Sequence, residues 1–237
     1  MNLVFPYLKA TAKAFLAHPR LGTVYDCLHY FPQWKKYNEP GRTSLTEKIP
    51  WMNFGAIRFL EKRLRPEMRL FEFGSGGSTL FWASRVGSVV SVEHDRQWYE
   101  SVRHQLPDTG VEFLLAEPEA DPDFARKNFR DPDDYVSHDL HYEGMNFARY
   151  ARTIDRYPEA FFDIIVVDGR ARPACIKHAI PRLKTGGLMV IDDTYRDFYL
   201  APFVWDKRHW AARRFVGPIP FGRPFFETTI LLKTREV

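Results

Sequence analysis

Residues 70–82, LFEFGSGGSTLFW, decide how the rest of the 237-residue chain is read. An apolar run carrying one acid, Glu72, ends in Gly74-Ser75-Gly76-Gly77-Ser78-Thr79 before a second apolar run begins. A short apolar run closed by glycines reads as a buried strand and a tight turn. Glycine lets the backbone take positive φ and approach a ligand closely. The turn then opens a helix whose free N–H groups favour polar or anionic ligand atoms. The next apolar run, 88–92, ends in Glu93-His94-Asp95, and Glu93 stands 19 residues past Gly74. An acid at that spacing, at the end of the second strand, is placed to accept ribose hydroxyls.

Outward from this pair, strand and helix patterns alternate. Strands are expected at 69–73, 88–92, 111–115, in FFDIIVVDG (161–169) and in GGLMVIDD (186–193). Helices are expected at about 77–85, 96–106, 143–156 and 173–183. Such alternation predicts an α/β fold, a doubly wound, mostly parallel sheet covered on both faces. Residues 209–216 and 226–233 alternate apolar and polar, which predicts an antiparallel pair at a sheet edge. The expected division is a helical N-terminal extension, 1–50, broken at Pro19, Pro32 and Pro40-Gly41, and a main domain, 51–237. That domain opens with a helix, 51–65, whose stripe is Trp51, Phe54, Ile57, Leu60 and Leu64. Residues 117–142 read as a long acidic loop or lid.

Composition sets outer limits. Hydrophobic residues are 45% and charged residues 27%, an ordinary globular balance that argues against disorder. The net charge of +4 is too mild to argue for nucleic acid. No apolar run reaches the length of a bilayer span. Cys27 and Cys175 form no metal-type or disulfide pattern, so a cytoplasmic protein is expected. The first twenty residues hold Lys9, Lys13 and Arg20 and no acid. Residues 4–15 read as an amphipathic helix with Val4, Leu8, Thr11/Ala12 and Phe15 on one face. Packing on the domain or in a homo-oligomer is the favoured use of that face, with a weak membrane-surface contact by residues 1–17 as the sharper one.

The third glycine position of a dinucleotide fingerprint is occupied here by Thr79, which lowers a nicotinamide reading. FEFGSGGST, then SVEHD, FDIIVVDG and LKTGGLMVIDD resemble the ordered motifs of class I S-adenosylmethionine-dependent methyltransferases, a Rossmann-like transferase family. The resemblance covers residues from about 51 to the C-terminus. It implies a seven-stranded sheet with a C-terminal antiparallel hairpin and S-adenosyl-L-methionine as cofactor. It also implies that Glu72, Gly74, Ser75, Gly76, Gly77, Ser78 and Thr79 flank the methionine side. Glu93 would hold the ribose, with His94 beside it, Ala116 and Glu117 would flank the adenine, and Asp168 would face the methyl or substrate side.

Asp168, Asp192 and Asp193 end adjacent strands, and oxygen-only ligands suit Mg²⁺. The arrangement resembles metal-dependent catechol-type O-methyltransferases, except that Asp193 stands where those have Asn. The favoured reading is that Asp192 and Asp193 cap the next helix and bond loop amides, with no metal. For His94, capping the following helix is slightly favoured over packing on the adenine. Asp168 is the first candidate base and His141 the second, with His138 and Tyr142 in the same loop. Arg170 and Arg172 read either as a clamp on an acidic substrate or as partners of the acidic loop. The expected function is methyl transfer to a small-molecule or sugar-like O or N nucleophile; no segment reads as a nucleic-acid module. The alternatives are a nicotinamide-dependent oxidoreductase and a catalytically inactive nucleoside-binding scaffold.

Overall fold

The computed structural model describes residues 4–19 and 21–235. Arg20 and the extreme termini, parts of the segments discussed above, lie outside the described residues. Two helices, α1 (Val4–Ala17) and α2 (Leu21–Tyr37), are followed by the single turn α3 (Ser44–Glu47) and by α4 (Phe54–Glu61). Pro32 does not end α2, which runs through it. The helix expected over 51–65 is shorter because Asn53 caps it, its Oδ1 accepting from Gly55 N at 2.8 Å and Ala56 N at 3.3 Å.

Strand and helix then alternate as β1 (Arg69–Phe73), α5 (Gly77–Ala83), β2 (Ser88–Glu93), α6 (Arg96–Arg103) and β3 (Val111–Leu115). A short pair, β4 (Glu119–Ala120) and β5 (Met145–Asn146), ties the two ends of the acidic loop together. This pairing replaces the first turn of the helix expected over 143–156 and leaves α7 (Ala148–Ala151) and a 3-10 turn. The chain closes with β6 (Phe162–Val167), α8 (Arg172–Arg182), β7 (Leu183–Ile191), β8 (Trp210–Gly217) and β9 (Phe226–Lys233).

The sheet has seven strands in the order β3-β2-β1-β6-β7-β9-β8, parallel except for β9 and β8. β9 lies inside the sheet between β7 and β8 and is buried on both faces, so of this antiparallel pair β8 alone is an edge, β3 being the edge at the other side. Alternate residues of β1 and β6 feed two cores. Phe71, Phe73, Ile165 and Val167 pack with Tyr150, Ile154 and Cys175. Leu70, Ile164 and Val166 pack with Trp34, Phe54, Leu60 and Trp82 on the other face. Burial on both faces explains why these strands are continuous apolar runs.

The N-terminal helices belong to the second core. Tyr7 of α1 packs edge-on against Phe31 and Phe225, tilts against Trp34, and donates its hydroxyl to the Cys27 carbonyl. The inward stripe of α1 is Tyr7, Thr11 and Ala14, not the Val4–Leu8 face expected from hydropathy. The small Thr11 and Ala14 let α1 lie close to its neighbours. Among the described residues no helix is long and apolar enough to cross a membrane.

Candidate functional site

Ligands of open α/β sheets bind beyond the carboxyl ends of the parallel strands. There a cavity of about 270 Å³ is lined by Gly74 and Ser75 after β1, by Glu93, His94 and Asp95 after β2, by Trp98 and Tyr142, and by Asp168, Gly169 and Arg170 after β6. The turn is tight because β1 and β6 end side by side. Gly74 has φ +91°, and a Cβ there would stand 2.9 Å from Gly169 N and 3.0 Å from the Asp168 carbonyl. Trp98, on the first turn of α6, closes the turn by donating Nε1–H to the Ser75 carbonyl at 2.8 Å.

The two acids of the opening motif play different parts. Glu72 is fully buried and does not line the cavity. One oxygen accepts Trp82 Nε1–H at 2.8 Å, and the other accepts the hydroxyls of Thr79 at 2.6 Å and Ser91 at 2.8 Å. Burial pushes its carboxyl up, against the pull of those donors. Glu72 thus ties β1, β2 and α5 together under the turn.

Glu93 does face the cavity. Its Oε2 accepts Ser75 N–H at 3.0 Å and Ser75 Oγ–H at 2.8 Å, and its Oε1 accepts the N–H groups of His94 at 2.7 Å and Asp95 at 2.9 Å. Burial alone would raise this carboxyl; His94, with the Asp95 and Ser75 N–H groups, outweighs it and holds the carboxyl below its ordinary value. Glu93 is therefore an anion pre-aligned on the turn. Capping of α6 falls to Asp95, whose Oδ1 accepts Trp98 N–H at 2.8 Å. His94, expected as that cap, instead sits edge-on to Tyr142 with Nε2 3.0 Å from its hydroxyl.

At the other wall a buried arginine organises the strand-end carboxylates. Arg172 donates to Asp168 Oδ1 at 3.0 Å, to the Gly169 carbonyl at 3.0 Å and to the Asp192 carbonyl, and pairs with Asp193 Oδ2 at 3.3 Å. Neither expectation for Arg172, substrate clamp or acidic-loop partner, describes it. Arg170 does meet the loop, pairing with Asp139 at 3.0 Å beside Tyr142. Asp193 also binds Arg196 at 2.9 Å, and Asp192 accepts the Thr228 hydroxyl. The helix-capping role expected for Asp192 and Asp193 is absent. Among the described residues no group of three or more His, Cys, Asp or Glu is arranged to hold a metal ion. Burial pushes Asp168 up to about 7; Arg172 opposes the shift, and Asp193 and Glu72 add to it.

Several expected site residues stand off the cavity. His141 points to solvent, its side chain 91% exposed and, among the described residues, bonded to Asp139 alone. His138 is the loop histidine nearest the arginines. Burial first, then Arg196, Arg172 and Arg170, hold its imidazole below the usual range. Glu117 is half-buried and pairs with Arg96, Ala116 is buried in the core, and neither lines the cavity. Gly76, Gly77 and Thr79 are buried behind the turn, and the half-buried Ser78 opens α5. Trp98 was missed by sequence reasoning: its only signal is its place in the first turn after the second strand.

No known protein family matches the chain by sequence, and no characterised protein does. Its structure is similar to that of an rRNA methylase from Streptococcus thermophilus, at 17% identity and a TM-score of 0.52, over 75% of this chain and 93% of that one. It is similar as well to the O-methyltransferase TomG from Streptomyces achromogenes, involved in tomaymycin synthesis and solved with S-adenosylmethionine, at 18% identity and a TM-score of 0.51, over 95% of this chain and 90% of that one. At these identities the likeness concerns the fold: the chain has the class I S-adenosylmethionine-dependent methyltransferase fold.

Proposed function

We propose that the protein transfers a methyl group from S-adenosylmethionine to an oxygen or nitrogen of a small or sugar-like acceptor. The observation that carries this reading is one cavity lined jointly by the Gly74–Ser75 turn, the Glu93 carboxylate and Asp168. The residues fit a nucleoside carrying an amino-acid tail. Glu93 offers an ionised carboxylate, and a ribose reaching its Oε2 would displace the Ser75 hydroxyl. Gly74 leaves backbone in place of side chain at the wall, and Arg170 lines the same cavity. When bound, the cofactor supplies a methyl group already activated on a sulfonium, so holding the acceptor in line is the main demand.

Asp168 is placed to take the proton of an acceptor hydroxyl or ammonium. A carboxyl pushed up to about 7 is a better base at neutral pH than an ordinary aspartate, and Arg172 fixes its orientation. A second cavity of about 340 Å³ at the same end of the sheet would take the body of the acceptor. Ala14, Tyr195, Val216, Phe225 and Phe226 line it. Its mostly apolar wall, which Lys13, His18 and Glu227 complete, supports a small molecule over a polyanion. Cys27 and Cys175 are buried and unpaired, which supports a reducing, cytoplasmic setting.

Calorimetry with S-adenosylhomocysteine tests this reading. Micromolar binding that weakens at least about tenfold in Glu93→Ala is expected, since a charge-assisted hydrogen bond contributes about 1.5–3 kcal/mol. A folded protein that ignores S-adenosylhomocysteine but binds NADH would replace the proposal with the nicotinamide reading. Binding without turnover over a broad acceptor panel would favour the inactive scaffold.

A further inference from the structure

Helix α1 turns a small, partly polar stripe inward and leaves its apolar side outside. Phe5 is 72% exposed, Leu8 52% and Leu16 80%. At 100° per residue Val4, Phe15, Leu8, Ala12, Phe5 and Leu16 fall within one arc of about 120°. Lys9 and Lys13, both exposed, continue the arc at its far side, and α1 carries no acid. Isolated exposed leucines are ordinary on a protein surface, but a contiguous arc with a basic flank is not.

From this we infer that the outer face of α1 lies on an anionic lipid surface, with Phe5, Leu8 and Leu16 entering the acyl boundary and Lys9 and Lys13 reaching the headgroups. Charge favours this occupant over a second copy of the chain. A two-fold pairing of α1 faces would set Lys9 and Lys13 of each copy near those of the other, with no acid on the helix to pair them. A bilayer rich in acidic headgroups offers both the apolar layer and the negative charge. Phe5, Leu8 and Leu16 line neither cavity, whereas Lys13 also lines the second one, so the test reads vesicle binding directly and not turnover. Tyr7, Thr11 and Ala14 hold α1 on the domain, so the exposed arc can change without disturbing the core.

Sedimentation of the full chain with phosphatidylcholine vesicles containing about 30% phosphatidylserine tests the inference, pure phosphatidylcholine being the control. The expected partition to the anionic vesicles is at least about tenfold greater and falls with added salt. The double variant Phe5→Glu/Leu16→Glu should lose at least about tenfold of the binding with an unchanged circular-dichroism spectrum. Lys9→Gln/Lys13→Gln should erase the preference for phosphatidylserine. Equal partition to both vesicles, or binding indifferent to both double variants, would overturn it. So would a concentration-dependent dimer that Phe5→Glu/Leu16→Glu dissolves, which would give the face to a second copy.

Discussion

Gly77 and Ser44 are in backbone contact: a Cβ on Gly77 would stand 1.8 Å from the Ser44 carbonyl oxygen and 2.9 Å from that of Ile49. The third glycine of the turn thus makes room for the chain's own N-terminal segment. Gly77→Ala should push 44–49 off the turn and destabilise by about 1–3 kcal/mol, the usual range for overpacking. Thermal unfolding measures that loss. Weaker S-adenosylhomocysteine binding in the same variant would show that the segment also braces the cavity.

Glu72 and Glu93 should separate cleanly under mutation. Glu72→Ala strands Trp82 Nε1–H and two hydroxyls in a fully buried place. A loss of about 1–3 kcal/mol for an orphaned buried donor is expected, read by urea unfolding. Glu93→Ala, at the cavity, should cost ligand affinity first. If Glu72→Ala keeps full stability and loses only ligand affinity, Glu72 contacts the ligand after all.

Asp168 should set the pH profile of the reaction. The active base is the ionised carboxylate, so turnover on a hydroxyl acceptor should rise through an inflection near pH 7, where the raised Asp168 titrates. Asp168→Asn should flatten that limb and lower kcat by about 10²–10⁴-fold. An unchanged profile in the variant would remove Asp168 as the base; an inflection moved well below pH 7 would point to His138, whose imidazole burial and the arginines hold below its usual range.

Arg172 should matter through the carboxylates it serves. Arg172→Met leaves Asp168 and Asp193 without their buried cation. Breaking such a buried pair costs about 3–5 kcal/mol. The Asp168 inflection should move to higher pH, because the charge that lowers it is gone. A pH-rate series on the variant, where it folds, checks the direction.

Tyr150 offers the opposite outcome. Its hydroxyl is buried with no hydrogen-bond partner among the described residues and presses on Gly169, where a Cβ would lie 1.9 Å away. Tyr150→Phe removes an unsatisfied polar atom, so thermal unfolding should show equal or higher stability.

Local pattern carried most of the fold. Apolar runs of strand length, the glycine turn and the 19-residue spacing to Glu93 place a doubly wound sheet and its ligand end in the sequence itself, because burial on both faces demands unbroken hydrophobicity. The amphipathic tail likewise announced two antiparallel strands, though not that β9 would be enclosed. Other roles depended on what each side chain meets across the sheet. Hydropathy cannot tell that Glu72 finds three donors from α5 and β2 while Glu93 faces the cavity. Nor can it tell that Arg172 gathers three strand-end aspartates, since its partners come from two loops after separate strands. The same holds for α1: its sequence specifies an amphipathic helix, but the shapes of Tyr7, Thr11 and Ala14 against Phe31, Trp34 and Phe225 decided which side turned inward. Periodicity is a property of one segment, whereas the direction a polar group faces is set by the neighbours that tertiary packing brings to it.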